Sequence, residues 1–425
     1  MKEGSSKKEK TKIQNRTQQG ITLIALVVTI VVLLILAGIT INMLFSNGGI
    51  FKTAGDAANA WNQAVINEQA DLDNLTEQIQ NLVNGQVGGG TTPGEEENID
   101  PETGWDLNKV TKFPSKDEPS VNVPIPNGFT ASTIEEEQKV EEGFVIKQDG
   151  TNNEFVWIPV SAERLAQMYT EETVALSGGT GVTTNIYSKS SIYTMGKPGD
   201  TSSYREPDLV VGSGTSYDAV ESYQTIVGAS DTEDFAQKMV NEYQEIHDSI
   251  EKYGGFYIGR YELTGTIGSP TVVKSGTVIT AQYWYNLKAA CMKLVDNTGK
   301  AENEIIAKTT MIYGNQWDEV CNWLSGAGYD IEDSTSWGNY SDNTEEGAGS
   351  KKTAGYKESW QANNIYDFAG NCAEWTQEAF HTDIRVHRGG DYNISGSSTP
   401  ASYRGGNNPD YDPSRISTRP TLYIM

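Results

Sequence analysis

The ten residues Tyr366–Trp375, YDFAGNCAEW, followed at 385–392 by RVHRGGDY, constrain the fold of this chain more than any other stretch. Asp367 is followed by Gly370, Cys372 and Glu374, so two carboxylates flank a tight glycine turn that Trp375 closes. A loop of this kind wraps a hard cation, with side-chain oxygens at both ends and backbone carbonyls between. The same residues also suit a plain glycine turn between a surface strand and a buried tryptophan, because acidic residues and glycine are ordinary turn chemistry.

From Trp105 onward the chain reads as short apolar runs broken by Gly, Asn, Asp and Ser. Strands are expected at Gly143–Lys147, Phe155–Val160, Phe256–Thr264 and Leu422–Ile424. Helices are expected at Ala162–Tyr169, Thr232–Tyr253, Ala281–Leu294 and Asn315–Leu324. The fold class is therefore α+β, with an irregular, loop-rich domain over 105–425 and a Ser/Thr/Gly/Tyr-rich insertion at 170–230. The 9 tryptophans and 21 tyrosines supply large burial per residue, which suits such a domain. Arg260 and Glu262 stand two apart on an expected strand, where they would share a face as an ion pair.

These segments together resemble the formylglycine-generating enzyme (sulfatase-modifying factor) family, a variant of the C-type lectin fold. Phe155-Val-Trp-Ile-Pro159 is similar to its opening strand, and Gly255-Phe-Tyr-Ile-Gly-Arg-Tyr-Glu262 to a later one. Ile279–Leu294 and Thr310–Leu324 fall where its two helices lie, and Arg419-Pro420 matches its terminal motif. The resemblance runs in order over most of 140–425. It implies a calcium site held by the side chains of Asp367 and Glu374 and the carbonyls of Gly370 and Cys372.

The same resemblance implies that the domain is not an enzyme. The active members use a copper-binding cysteine pair shortly after the Arg-Gly-Gly motif. By offset from Gly390 those positions hold Ile394 and Thr399, and no cysteine follows Cys372. Neither a hydrophobe nor a hydroxyl replaces a thiolate as metal ligand. Relatives that use non-haem iron need a facial set of histidines and a carboxylate. The only histidines here are His247, His381 and His387. The last two could serve a metal or be loop histidines beside a strand.

The stretch Asp391–Ser417 is dense in Asn, Asp, Ser, Tyr and Gly. Tyrosine offers rigid amphipathic contact, and the small polar residues offer adaptable hydrogen bonds, which is the chemistry of binding loops. The resemblance places this stretch on the exposed ligand face. The same fold carries the variable proteins of diversity-generating retroelements, so the segment is also a candidate for diversification. The expected contact residues are Asp391, Tyr392, Asn393, Ser395, Ser397, Tyr403, Asn407, Asp410, Tyr411 and Asp412, for an extracellular glycan or protein. A turn-rich loop without a ligand would have a similar composition.

At the other end, Ile21–Ile41 carries no charge. A helix of that length crosses a hydrocarbon layer of about 30 Å. Residues 1–20 hold five lysines and one arginine against Glu3 and Glu9, which places the N-terminus in the cytoplasm and the later domain outside. The expected order is a basic leader (1–20), a single membrane span (21–45), an amphipathic helix or stalk (46–84) and a flexible linker (85–104). The leader and apolar run also resemble a type IV prepilin, with cleavage between Gly20 and Ile21. Ala25 departs from that pattern, where most pilins carry a glutamate. Val65, Leu72, Leu75, Ile79 and Leu82 form a short heptad stripe that could pack on other pilin subunits.

Net charge is −25, with 57 acidic and 32 basic residues, which argues against a nucleic-acid partner. The three cysteines, Cys291, Cys321 and Cys372, leave at least one unpaired, and Cys291 and Cys321 sit in apolar helical patterns as small hydrophobes. The sequence thus reads as a bacterial surface protein. A membrane-anchored, pilin-like helix displays a non-catalytic, calcium-stabilised binding domain.

Overall fold

A computed structural model of the protein describes residues 98–175, 183–188, 206, 229–230, 232–381, 384–411 and 413–425. The chain divides into two units, 1–95 and 96–425, and every described residue lies in the second. The leader, the apolar run, Gly20, Ile21, the heptad stripe and most of the linker fall outside the described residues. Among the described residues no helix is long and apolar enough to cross a membrane.

The centre of the domain is a six-stranded antiparallel sheet. Its strands are β1 (Phe129–Ala131), β2 (Val145–Gln148), β3 (Glu154–Pro159), β4 (Gly255–Gly259), β5 (Ala307–Met311) and β10 (Pro420–Ile424), ordered β5-β10-β4-β3-β2-β1. Strand β10, near the C-terminal end, is thus threaded between the edge strand β5 and the interior strand β4, with Leu422 opposite Tyr257 and also opposite Thr309. Pro420 opens that strand, a position where its missing N–H costs little.

The continuous apolar runs FVWIP and FYIG follow from burial on both faces. Phe155, Trp157 and Tyr257 point into one core, while Val156, Ile158, Phe256 and Ile258 point into the other. Successive strand residues face opposite ways, so a strand buried on both sides has no polar alternation to show. Each such side chain contributes about 1.5–3 kcal/mol on burial.

Among the described residues four α-helices accompany the sheets: α1 (Ala162–Met168), α2 (Thr232–Tyr253), α3 (Trp284–Cys291) and α4 (Gly314–Gly326). Ser161 caps α1 through the N–H of Arg164. Glu206, fully buried and within the long insertion, accepts the first two N–H groups of α4 from Gly314 (2.7 Å) and Asn315 (2.6 Å). A carboxylate there offsets the positive end of the helix and satisfies donors that have no partner inside it.

A second, four-stranded sheet carries the Tyr366–Trp375 loop region and the segment after Gly390. It comprises β6 (Ala373–His381), β7 (Ile384–Arg388), β8 (Arg404–Asn407) and β9 (Ile416–Thr418), ordered β8-β7-β6-β9, with β6 and β9 parallel.

Several expectations need revision. Strand Phe256–Thr264 ends at Gly259 and resumes only at Thr264. Thr310 and Met311 belong to β5 and not to a helix. Within the insertion, Thr170–Ala175 and Thr183–Ser188 pair as a hairpin. Residues 98–104 are already folded, with Ile99 bridging Asp106 and Asp100 paired to Lys112 at 2.8 Å.

Candidate functional site

The loop expected to hold a cation lies in the interior, where Asp367, Glu374 and Glu262 form a buried acidic group. Glu374 opens β6 and gives both oxygens to Arg419, at 2.7 Å to Nη2 and 3.1 Å to Nε. Arg419 donates its remaining N–H groups to the carbonyls of Gly259 and Tyr366. Asp367 accepts the N–H of Gly355 on Oδ2 at 2.6 Å, while its Oδ1 is buried with no partner. Glu262 accepts Nδ2 of Asn371 (2.6 Å) and the N–H of Cys372 (3.0 Å).

The expected Arg260–Glu262 pair does not form. Arg260 instead binds Glu137 (2.7 Å) and Glu154 (3.0 Å). The strand ends at Gly259, so the two-residue periodicity that would put both side chains on one face stops before Arg260.

Three buried carboxylates face one guanidinium, and their titration reflects it. Burial is the main cause in each case. It lifts Asp367 to about 7, with the charge of Glu374 adding to the rise and the Gly355 N–H and Arg419 opposing it. Glu262 is held well above the usual carboxylate range by burial and by the charges of Asp367 and Glu374. Glu374 is also raised, against the pull of Arg419.

The oxygen types gathered here are those a hard cation takes. Asp367 Oδ1 is orphaned, and among the described residues the carbonyls of Gly370 and Cys372 accept no hydrogen bond. Oxygen ligands of this mixed carboxylate and carbonyl type suit calcium. The carboxylates do not crowd one point, however. Among the described residues the one group of three acidic, His or Cys side chains with ligand atoms within 4.8 Å is His247, Asp248 and Glu251, on a half-exposed turn of α2.

Asn371 sits at the hub of the loop with φ of 58°. Its Oδ1 accepts from Asn339 and from the Lys352 N–H, and its carbonyl accepts the Tyr392 N–H at 3.1 Å. The YDFAG turn is thereby tied directly to the C-terminal loop. Gly390 sits at the head of that loop with φ of +67°, and a Cβ there would lie 2.1 Å from the Thr399 carbonyl. Only glycine fits this crossing.

Beneath the loop lies a buried ionic clamp. Asp318 of α4 binds Arg388 at 3.0 Å and Arg404 at 2.5 Å, and Arg404 also reaches Glu378 of β6 at 3.1 Å. Arg388 donates to the carbonyls of Ser402 and Tyr403. Trp317 stacks on Phe368 at 4.0 Å and donates its indole N–H to the Ala401 carbonyl at 2.9 Å. Sequence reading missed Asp318, Glu378 and Arg404. For Asp318 and Glu378 the signal would have been a charge among apolar helix or strand residues; Arg404, in the polar run SYRGGNN, carries no such signal.

The expected ligand residues separate into three groups. Asn393, Ser397 and Tyr411 are exposed, and Tyr392, Ser395, Tyr403, Asn407 and Asp410 are half-buried. Asp391 is buried: it accepts the Asn393 N–H (2.8 Å) and pairs with Arg415 (3.3 Å), so it shapes the loop and does not face outward. Asp412 lies outside the described residues. Ile394 is 37% exposed, and Thr399 is buried with its hydroxyl on the Ser395 carbonyl.

His381 and His387 lie within β6 and β7, not in loops. His387 packs edge-on to Trp375, with its Nε2 3.2 Å from Asn407, and burial lowers its pKa to about 4. The three cysteines are buried, and none is in a disulfide.

No protein-family model matches the chain, and no curated protein matches it. Among solved structures, Treponema denticola variable protein 1 is similar over 40% of this chain and 85% of that one, at 17% identity and a TM-score of 0.29. PvdO from Pseudomonas aeruginosa is similar over 40% of this chain and 81% of that one, at 14% identity and a TM-score of 0.29. Neither likeness assigns a role to a residue here.

Proposed function

We propose that residues 98–425 are a ligand-binding head of C-type lectin-like fold, without catalytic activity, held at a bacterial surface by the N-terminal segment. One observation carries the binding reading. Exposed Asn393, Ser397 and Tyr411, with half-buried Tyr403 and Asn407 beside them, lie on a segment that the buried Arg388–Asp318–Arg404–Glu378 clamp anchors. A rigid backbone beneath adaptable polar contacts lowers the ordering cost of association.

The ligand class is an extracellular glycan or protein. Calcium, held by Asp367, Glu374 and the Gly370 and Cys372 carbonyls, would neutralise the buried acids and stiffen the loop that bonds Tyr392. The absence of catalysis is supported by Ile394 and Thr399 at the positions where the resembled enzymes place cysteines. Surface display, a pilin-like assembly and diversification of the 391–417 segment rest on sequence features alone.

The test is a glycan and surface-protein binding screen with the full chain in detergent. Tyr411→Ala and Asn407→Ala are expected to weaken any hit by about tenfold each, with little change in melting temperature. Binding that ignores both substitutions, or stoichiometric copper or iron with turnover, would overturn the reading.

A further inference from the structure

A cavity of about 730 Å³ opens beside the C-terminal end of α4, remote in sequence from the loops just described. Its walls include Asn322 and Trp323 of the last helical turns, Tyr329 beyond them, Glu141 and Glu142 of the turn before β2, and Asn363. That volume falls in the range of small-molecule sites.

Four features give this cavity one electrostatic sign. Glu141 and Glu142 line it, and no lysine or arginine does. Glu142 has only a loose contact with Lys139, at 3.8 Å, and the Glu141 carboxylate has no ion pair or hydrogen bond among the described residues. The C-terminus of α4 ends at the cavity, and its last turn holds no basic residue to offset the negative end of the helix. Trp323 and Tyr329 contribute aromatic surface, whose π faces attract cations.

The walls are also preorganised. Tyr329 packs edge-on to Trp337 at 5.5 Å, and its hydroxyl accepts the Asn363 N–H at 3.4 Å. The Glu141–Glu142 turn is bolted to the opposite wall. Asn363 Nδ2 donates to the Glu141 carbonyl (2.8 Å), and Asn364 Nδ2 donates to those of Glu142 and Gly143 (both 2.9 Å). Asn363 and Asn364 form the two-residue turn between the paired residues Ala362 and Ile365, and their left-handed backbone, φ of 45° and 62°, is what such a turn requires.

We propose that this cavity binds an alkylammonium group, with the cation against Trp323 and Tyr329 and its charge met by Glu141 and Glu142. A quaternary ammonium headgroup and a lysine-type side chain share this chemistry. The site is independent of the 391–411 face.

The experiment titrates the full chain in detergent with choline, with n-butylammonium as a lysine side-chain mimic, and with 3,3-dimethylbutanol, the uncharged isostere of choline. Binding is read by tryptophan fluorescence and by calorimetry. One or both cations are expected to bind, and whichever binds more tightly identifies the source. The neutral isostere is expected to bind at least about tenfold more weakly, since the interaction is with charge. Trp323→Ala and the double substitution Glu141→Gln/Glu142→Gln should each weaken binding by about tenfold, and the double variant should also remove its salt dependence. Tyr411→Ala should leave ammonium binding unchanged. Equal binding of the neutral isostere, no binding of either cation, or cation binding that survives the double substitution would overturn the proposal. A neutral saccharide binding here in place of the cations would overturn it as well.

Discussion

Arg419 holds both oxygens of Glu374, at 2.7 and 3.1 Å, and is the one guanidinium paired with a group of three buried carboxylates. Removing it would leave Glu374 uncompensated in a dry interior. Breaking a buried pair from one side costs about 3–5 kcal/mol. Arg419→Met is therefore expected to lower urea-unfolding stability by that order. Glu374→Gln should cost less, because it removes a charge from an overcharged cluster. In a double-mutant cycle the two losses should not add; additive losses would show that the pair is not coupled.

Asp367 sets a pH dependence of its own. Its pKa rises from 3.8 to about 7 on folding. The folded chain thus binds more protons than the unfolded chain between those values, and stability falls as pH rises through that window. Asp367→Asn removes this slope, so the variant should gain on the wild type in metal-free buffer from about pH 4 to about pH 7. Calcium binding to the ionised form would reverse the loss. Millimolar calcium at pH 8 should raise the melting temperature of the wild type and not of an Asp367→Asn/Glu374→Gln double variant. A wild type indifferent to calcium at pH 8, where Asp367 is ionised, would show that this loop holds no calcium.

His387 works in the opposite direction. Burial lowers its pKa from 6.5 to about 4, so the unfolded chain binds more protons between those values. Stability is complete above pH 6.5 and is lost as pH falls towards 4. Wild type should lose about 1–3 kcal/mol over that window relative to His387→Gln. Chemical denaturation of both proteins at several pH values measures the difference; parallel curves would place the imidazole in water.

Much of the framework was legible because its elements are locally determined. The helix expected at Thr232–Tyr253 forms over that range, and the apolar runs at Phe155 and Phe256 become interior strands. The cysteines in apolar helical patterns are buried and form no disulfide. The partnerships of the charged residues were not legible, because they join segments far apart in the chain. Glu374 meets Arg419 across 45 positions, and Glu262 meets Cys372 across 110. Strand parity failed at Arg260 because the strand stopped one residue earlier. Composition marked 391–417 as a polar surface, yet could not tell the buried Asp391 from the exposed Asn393. That distinction is made by Arg415, which the loop itself brings back to Asp391.

The clamp beneath the binding face makes a last prediction. Arg404 joins Asp318 of α4 to Glu378 of β6 and sits on β8, the strand inside the proposed binding segment. Arg404→Met would leave the two carboxylates sharing Arg388, whose contact with Glu378 is already long at 3.8 Å. The β8 end of the segment would then lose its ionic anchor, while the central sheet keeps its own hydrogen bonds and apolar contacts. Amide hydrogen exchange should rise selectively in peptides covering 391–411, with peptides from β3 and β4 unchanged. A uniform rise across the domain would mean that the clamp supports the whole fold. No rise would mean that Trp317, through its bond to the Ala401 carbonyl, is enough to hold the loops.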